Sequence, residues 1–368
     1  MLVIDAHLDL AWNALQWDRN LIHSAHTIRT NEVFITGQGR GQGTVALPEL
    51  REGRVAVCFA TLLARSTGQA APGIDYPSPT QAYGAARGQL AYYRALEQFG
   101  EVRIITGLRA LDAHIAEWEV WDATQTAEVT PSPPLGLIIS MESADPILRP
   151  EDLSDWWEVG VRVIGPAHYG PGRYAGGTGV ESALTSQGIA LLAEMERIGI
   201  ILDMTHLSDQ AFWQALNRYQ GPIIASHNNC RTLVPEQRQF SDQQLRAIID
   251  RNGVIGASLD ARMLKLGWTP GTSSNADVPL LRVVDHIDYI CQLAGNCRHI
   301  AIGSDLDGGF GQEQSPRDLD TIADLQKLRD LLAAKGYSSS DVAAILYRNW
   351  LQLIHRAWGT GESQDTIG

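Results

Sequence analysis

The chain has 368 residues, 44% hydrophobic and 19% charged, with a formal net charge of −13. That length holds either two average domains or one α/β barrel. The excess of acid argues against nucleic acid or an anionic membrane surface as partner, and Lys265, Lys327 and Lys335, the only lysines, form no polybasic cluster. Cys58, Cys230, Cys291 and Cys297 make no CxxC pair, and so large a core needs no disulfide staples, so reduced thiols are expected. The first strand starts at Leu2 without room for a leader, no apolar stretch is long enough to cross a bilayer, and the tail from Gly359 to Gly368 is polar. Cytoplasmic residence is the expectation.

In chain order, the run from Leu2 to Leu8 reads as a strand with His7 and Asp9 at its end. Residues 12–45 read as a long irregular connection, 54–60 as a buried strand, and 64–82 as a Gly/Pro/Ser/Thr-rich loop of the kind that forms lids. Helical spacing of Leu90, Tyr93, Leu96 and Phe99 predicts a helix over 83–99, followed by strand 103–105 and a helix near 109–119. From residue 135 the alternation is regular. Strands are expected at 135–141, 161–164, 200–205, 222–226, 254–259 and 299–304. Between and after them come helices over 184–198, from Ser208-Asp209 to about Tyr219, over 242–251 and 279–294, and near 317–335 and 339–357, with a loop over 264–278. Ser241 with Gln244 forms a capping box, and Gly199 supplies a C-terminal stop. About eight β-then-α units predict one (β/α)8 TIM barrel over 1–368 with loop insertions. No GxGxxG or GxxxxGK[ST] loop supports the main competitor, an open doubly wound sheet.

Residues i and i+2 of a strand share a face, so His7 and Asp9 point together. Glu142, His206, His227 and Asp305 end later apolar runs in the same manner. Polar groups at the C-terminal ends of successive barrel strands are where such barrels place their chemistry. A lone histidine on a strand is usually a satisfied core or surface residue. Three histidines (His7, His206, His227) and two carboxylates (Asp9, Glu142) at equivalent strand ends instead point to metal. Imidazole and carboxylate without thiolate suit Zn²⁺, with Mn²⁺, Co²⁺ or Fe²⁺ as alternatives. Five ligands exceed the need of one open tetrahedral site, so two ions sharing a carboxylate fit better. With no lysine before residue 265, a carboxylated lysine cannot bridge mid-barrel, and Glu142 is placed to do so. The opening His7-Leu8-Asp9 also differs from the His-x-His of many binuclear hydrolase barrels, such as deaminases, dihydroorotases and phosphotriesterases.

Several stretches together resemble the membrane (renal) dipeptidase family, the M19 metallopeptidases of the amidohydrolase superfamily. They are Ile4-Asp5-Ala6-His7-Leu8-Asp9, Ser186-Gln187-Gly188, Asp203-Met204-Thr205-His206-Leu207-Ser208-Asp209, Ala225-Ser226-His227-Asn228, Asp285-His286-Ile287-Asp288 and Ile302-Gly303-Ser304-Asp305-Leu306-Asp307-Gly308. The resemblance implies two zinc ions, one held by His7 and Asp9, the other by His206 and His227, bridged by Glu142 with a hydroxide nucleophile between them. It further implies that His168 supports the developing oxyanion, that Arg238 clamps the substrate carboxylate, and that Asp305 receives the ammonium and shuttles the proton. Arg231 rivals Arg238, and Asp307 rivals Asp305. Asp203 is expected to orient its neighbours, and His23, His26, His114, His286, His299 and His355 to be structural. Ser143 stands where the family usually has glycine, and Tyr169 to Ala175 departs from the family where the substrate pocket is expected. The expected substrate is a small dipeptide. The alternatives are an amidase acting on N-acyl amino acids or lactams and a non-catalytic barrel; the sequence leaves a homodimer open.

Overall fold

The computed structural model describes residues 1–68, 71–124 and 131–359. Nine strands run β1 Val3–Leu8, β2 Val55–Leu63, β3 Val102–Ile104, β4 Leu135–Glu142, β5 Val161–Gly165, β6 Ile201–Asp203, β7 Ile223–Ala225, β8 Val254–Ala257 and β9 Ile300–Ile302. Every pairing is parallel. A β2–β4 pairing closes the ring β1-β2-β4-β5-β6-β7-β8-β9, a (β/α)8 TIM barrel of eight strands. The ninth, β3, pairs with Leu135–Leu137 of β4, whereas β5 takes over the same strand from Ile139. β3 therefore extends the sheet without entering the ring. Strands buried on both faces explain the nearly continuous apolar runs, with Ile4, Val57, Ile138, Ile139, Ile201 and Ile224 all fully shielded.

Helices cover the outside and are capped as the sequence predicts. Thr185 accepts the Gly188 N–H at 3.0 Å, Ser241 and Gln244 form the capping box, and Gly199 closes its helix at φ 91°. Residues 12–45 are not wholly irregular: helices Leu10–Gln16 and Ala25–Asn31 lie there, the second capped by Ser24. They were hidden because both span only seven residues, too few to show a helical period. The C-terminal helix expected over 339–357 is interrupted by a π-turn at Ala344–Arg348, so it runs as Ser339–Ala343 and Asn349–Gly359. Expected strands 200–205, 254–259 and 299–304 are shorter than their apolar runs, because their last residues leave the ladder to enter the mouth of the barrel. The four cysteines are free. Part of the 64–82 loop and nearly all of the polar tail fall outside the described residues. Among the described residues no helix is long and apolar enough to cross a membrane.

Candidate metal centre

At the C-terminal mouth of the barrel one carboxylate oxygen gathers four imidazoles. Oε1 of Glu142, at the end of β4, lies 3.1 Å from Nε2 of His206, 3.4 Å from His227, 3.5 Å from His7 and 3.6 Å from His168. Oδ1 of Asp9 is 3.9 Å from the His7 Nε2, and Oδ1 of Asp305 is 3.8 Å from the same nitrogen. The five expected ligands thus meet, although they come from β1, β4 and the turns after β6 and β7.

Two buried aspartates set that convergence in the same way. Oδ1 of Asp5 accepts the N–H of His7 at 3.2 Å and of Ser304 at 2.8 Å, tying β1 to the chain leaving β9. Oδ1 of Asp203 accepts the N–H of Thr205 and of Ser226, both at 3.0 Å, tying β6 to β7. Each tie fixes the backbone beside a pair of site residues: His7 with Asp305, and His206 with His227. His206 at φ 68° and Asp305 at φ 60° occupy the left-handed region that turns their side chains inward. Close packing completes the frame: a Cβ at Gly256 or Gly303 would come within 1.9 or 1.7 Å of the Ser226 carbonyl oxygen.

Hydroxyls orient the ligands. The Thr178 hydroxyl lies 2.9 Å from Nδ1 of His206 and can donate to its carbonyl at 3.4 Å, so it accepts from Nδ1–H. The Ser226 hydroxyl lies 2.9 Å from Nδ1 of His227. Asp9 receives the Thr61 hydroxyl, and Tyr93 locks that pair by accepting from the Ala11 N–H at 3.0 Å and donating to the Thr61 carbonyl at 2.9 Å. The sequence did not mark the orienting roles of Thr61, Tyr93, Thr178 and Ser226, although Ser226 lies in the family-like stretch Ala225-Ser226-His227-Asn228, since hydroxyls on strands and loops are ordinary.

The electrostatics fit cations. Burial opposes a charge on His7, yet Glu142, Asp9 and Asp305 lift its pKa to about 10. Burial and the Glu142 charge raise Asp9 to about 7, and burial with Glu142 and Asp9 holds Asp305 well above the ordinary carboxyl range. Burial alone would raise Glu142, but the surrounding imidazoles of His168, His7 and His206 hold it well below the ordinary carboxyl range. Burial keeps His206 and His227 neutral, as metal ligation requires. Positive charge among these carboxylates is so favoured that His7 would carry it as a proton; a divalent ion supplies the same compensation. The Nε2 atoms of His206 and His227 face each other at 3.1 Å with their other nitrogens engaged, and His7 Nε2 has no hydrogen-bond partner among the described residues. That is a donor set awaiting a shared acceptor. His7-Asp9-Glu142, Glu142-His206-His227 and His7-His227-Asp305 could each hold an ion.

A cavity of about 200 Å³ opens over these residues, walled by Trp12, Leu63, Tyr169, Arg238, Arg262 and Phe310 among others. Arg238 is buried, with Nη2 on the His227 carbonyl at 3.0 Å and Nη1 without a partner. Its rival Arg231 is engaged bidentately by Asp209 at 2.8 Å. Asp307 is bound by Arg19, Thr44 and Val45, away from the cavity wall, whereas Asp305 lines it. Burial, with Arg65 and Arg238 adding to it, lowers His168 to about 4 against the pull of Glu142, so the ring is neutral. Of the segment from Tyr169 to Ala175, only Tyr169 lines the cavity; Arg173 and Tyr174 bind the Ile147 carbonyl instead. The six histidines assigned to structure lie elsewhere, as with His114 on the Ala56 carbonyl and His299 on that of Gly253. A larger groove of about 1060 Å³ sits between helices Asp242–Asp250 and Leu281–Ala294 and contains none of the converging ligands.

A closed parallel barrel with an imidazole–carboxylate cluster at its C-terminal mouth defines a metal-dependent hydrolase of the barrel type. The chain belongs to the membrane dipeptidase family, peptidase family M19, whose family model matches residues 1–366. An uncharacterized protein from the pqqA 5′ region of Klebsiella pneumoniae is 33% identical over 215 residues, covering 56% of this chain and 76% of that protein. The dipeptidase aclJ of Aspergillus oryzae is 29% identical over 201 residues, covering 54% of this chain and 45% of its own. This chain thus spans about half the length of that curated dipeptidase. Among solved structures, the M19 metallopeptidase dipeptidase AC superposes with a TM-score of 0.78 at 22% identity, covering 98% of this chain and 99% of its own. A metallopeptidase from Rhodobacter sphaeroides, liganded with a phosphinate mimic of L-Ala-D-Ala, gives 0.74 at 22% identity, covering 97% and 99%.

Proposed function

We propose that this chain, acting over 1–368 as one catalytic unit, is a binuclear zinc dipeptidase that cleaves the peptide bond of small free dipeptides. One observation carries the reading. A small cavity joins the imidazole–carboxylate cluster to a buried guanidinium whose Nη1 has no partner among the described residues. His7 and Asp9 would hold one ion, His206 and His227 the other, and Glu142 would be shared between them. When bound, the ions acidify water into a nucleophile at neutral pH and polarise the scissile carbonyl.

The chain's own groups supply the rest. Arg238 directs Nη1 at the substrate's carboxylate, forming a charge-assisted hydrogen bond in a dry site. His168 presents Nε2 on the Glu142 side of the cavity, where an N–H stabilises charge growing on the carbonyl oxygen. Asp305 is the carboxyl group available to the substrate's ammonium and to the proton that the leaving amine takes up. A cavity of about 200 Å³ leaves no room for long peptides. The ligand of the Rhodobacter sphaeroides neighbour supports a substrate of dipeptide size.

The test is hydrolysis of a free dipeptide, its N-acetyl and C-amide derivatives and a tripeptide by zinc-supplemented protein. Turnover is expected for the free dipeptide and strongly reduced for the others. Undiminished turnover of the N-acetylated compound would replace the dipeptidase with an N-acyl amidase. No turnover, with fewer than one ion bound per chain, would leave a non-catalytic barrel.

A further inference from the structure

Behind His168 lies a side chain that takes no part in the cavity wall. Arg65 follows β2, and its Nη1 reaches Nδ1 of His168 at 3.3 Å and the Tyr169 carbonyl at 3.3 Å. Its Nε lies 3.4 Å from Oδ2 of buried Asp75. The backbone of Arg65 is clamped as well, donating to the Ile74 carbonyl at 2.7 Å and accepting from the Tyr76 N–H at 2.8 Å. Asp75 in turn accepts the N–H and hydroxyl of Thr67 at 3.0 and 2.6 Å. The ion pair to Asp75 on the Nε side and the clamped backbone therefore hold the guanidinium in place.

A guanidinium only donates hydrogen bonds and keeps its charge at any working pH. The imidazole nitrogen facing it must accept. The ring proton of His168 then belongs on Nε2, the nitrogen 3.6 Å from Glu142 Oε1. Tyr169 packs edge-on against this ring at 4.9 Å and His206 at 4.4 Å, so the two nitrogens cannot exchange places without moving both neighbours. We propose that Arg65 is a positioning residue that selects the Nε2–H tautomer of His168 and so turns a donor, rather than a lone pair, toward the reacting carbonyl. Its consequence for rate rests on the dipeptidase reading; the tautomer itself does not.

The tautomer is read directly from ¹⁵N spectra of histidine-labelled, zinc-supplemented protein, with His168 assigned by the signal lost in His168→Ala. A protonated Nε2 and a bare Nδ1 are expected in the wild type; a bare Nε2 overturns the proposal without any Arg65 variant. Arg65→Met keeps an apolar stem and removes the donor. It should lower kcat by roughly 10–100-fold with KM and metal content nearly unchanged, while Arg65→Lys restores part of the rate. In a His168→Ala background, Arg65→Met should cost nothing further. An equal cost in both backgrounds, or a raised KM with kcat intact, overturns the proposal, the latter making Arg65 a substrate contact. A wild type that hydrolyses no dipeptide refutes the proposed function, and the spectra still decide the tautomer.

Discussion

Nε2 of His206 lies 3.1 Å from Nε2 of His227, across the edge of the same Glu142 oxygen. The Thr178 and Ser226 hydroxyls hold the Nδ1 side of each ring, so both Nε2 atoms converge on one point. A cation seated there would accept from both rings at once. Removing metal with a chelator should therefore lower stability by about 3 kcal/mol per bound ion relative to protein in zinc at some 100 times its Kd. Thermal unfolding with and without chelator, together with metal counting expected to give two ions per chain, checks this. An unchanged melting temperature would show that the cluster holds no structural charge.

Glu142→Gln keeps the shape of the shared ligand and removes its charge. Metal occupancy should fall and activity drop by at least about 100-fold, because in the proposed centre one carboxylate would compensate both ions. Elemental analysis beside kinetics separates the outcomes. Full occupancy with full activity would remove Glu142 from the centre.

Arg238→Ala should leave both ions bound, since the guanidinium meets the His227 carbonyl and not a ligand atom. Loss of a charged hydrogen bond of about 1.5–3 kcal/mol should cost roughly 10–100-fold in kcat/KM for a free dipeptide. Its C-terminal amide, already poor, should be little affected. A variant that still discriminates between acid and amide would assign carboxylate recognition elsewhere.

Ser143, which follows Glu142, has φ 74°, in the left-handed region that favours glycine. The side chain costs about 1–2 kcal/mol there. Glycine gives back part of that, about 0.5–1 kcal/mol, through the entropy of the unfolded chain. Ser143→Gly should thus stabilise by about 0.5 kcal/mol. A urea midpoint that shifts upward at constant slope confirms it, and a downward shift refutes it.

His286 is buried, with Nδ1 accepting the Cys230 N–H at 3.1 Å, and burial lowers its pKa from 6.5 to about 4. As pH falls, the unfolded chain protonates first, so this contribution is complete above pH 6.5 and is lost towards pH 4. The loss is about 2 kcal/mol by pH 5. His286→Asn keeps an acceptor for Cys230 without titrating. Its unfolding free energy should fall less between pH 7 and 5 than that of the wild type; parallel curves would count against the shift.

Much of the centre was legible because each ligand ends an apolar run. A buried strand advertises itself by composition, and a polar residue at its end has few roles there. The choice of Arg238 over Arg231, and of Asp305 over Asp307, rested on the family resemblance. Both members of each pair are plausible by residue type, and in the fold Asp209 occupies Arg231 and Arg19 occupies Asp307. The orienting hydroxyls were invisible for a related reason. Thr178 acts on His206 from a loop 28 residues away, at no fixed spacing.

Periodicity, caps and strand-end ligands are local, so the sequence alone determined the barrel, most of its elements and the residue types of a metal centre. Tertiary structure decided what depends on closure of the ring. It left β3 outside the barrel, brought Glu142 among four imidazoles, and set Arg65 behind His168 and the free face of Arg238 toward the cavity. Those relations join segments far apart in the chain, where distance is fixed by packing and not by sequence spacing.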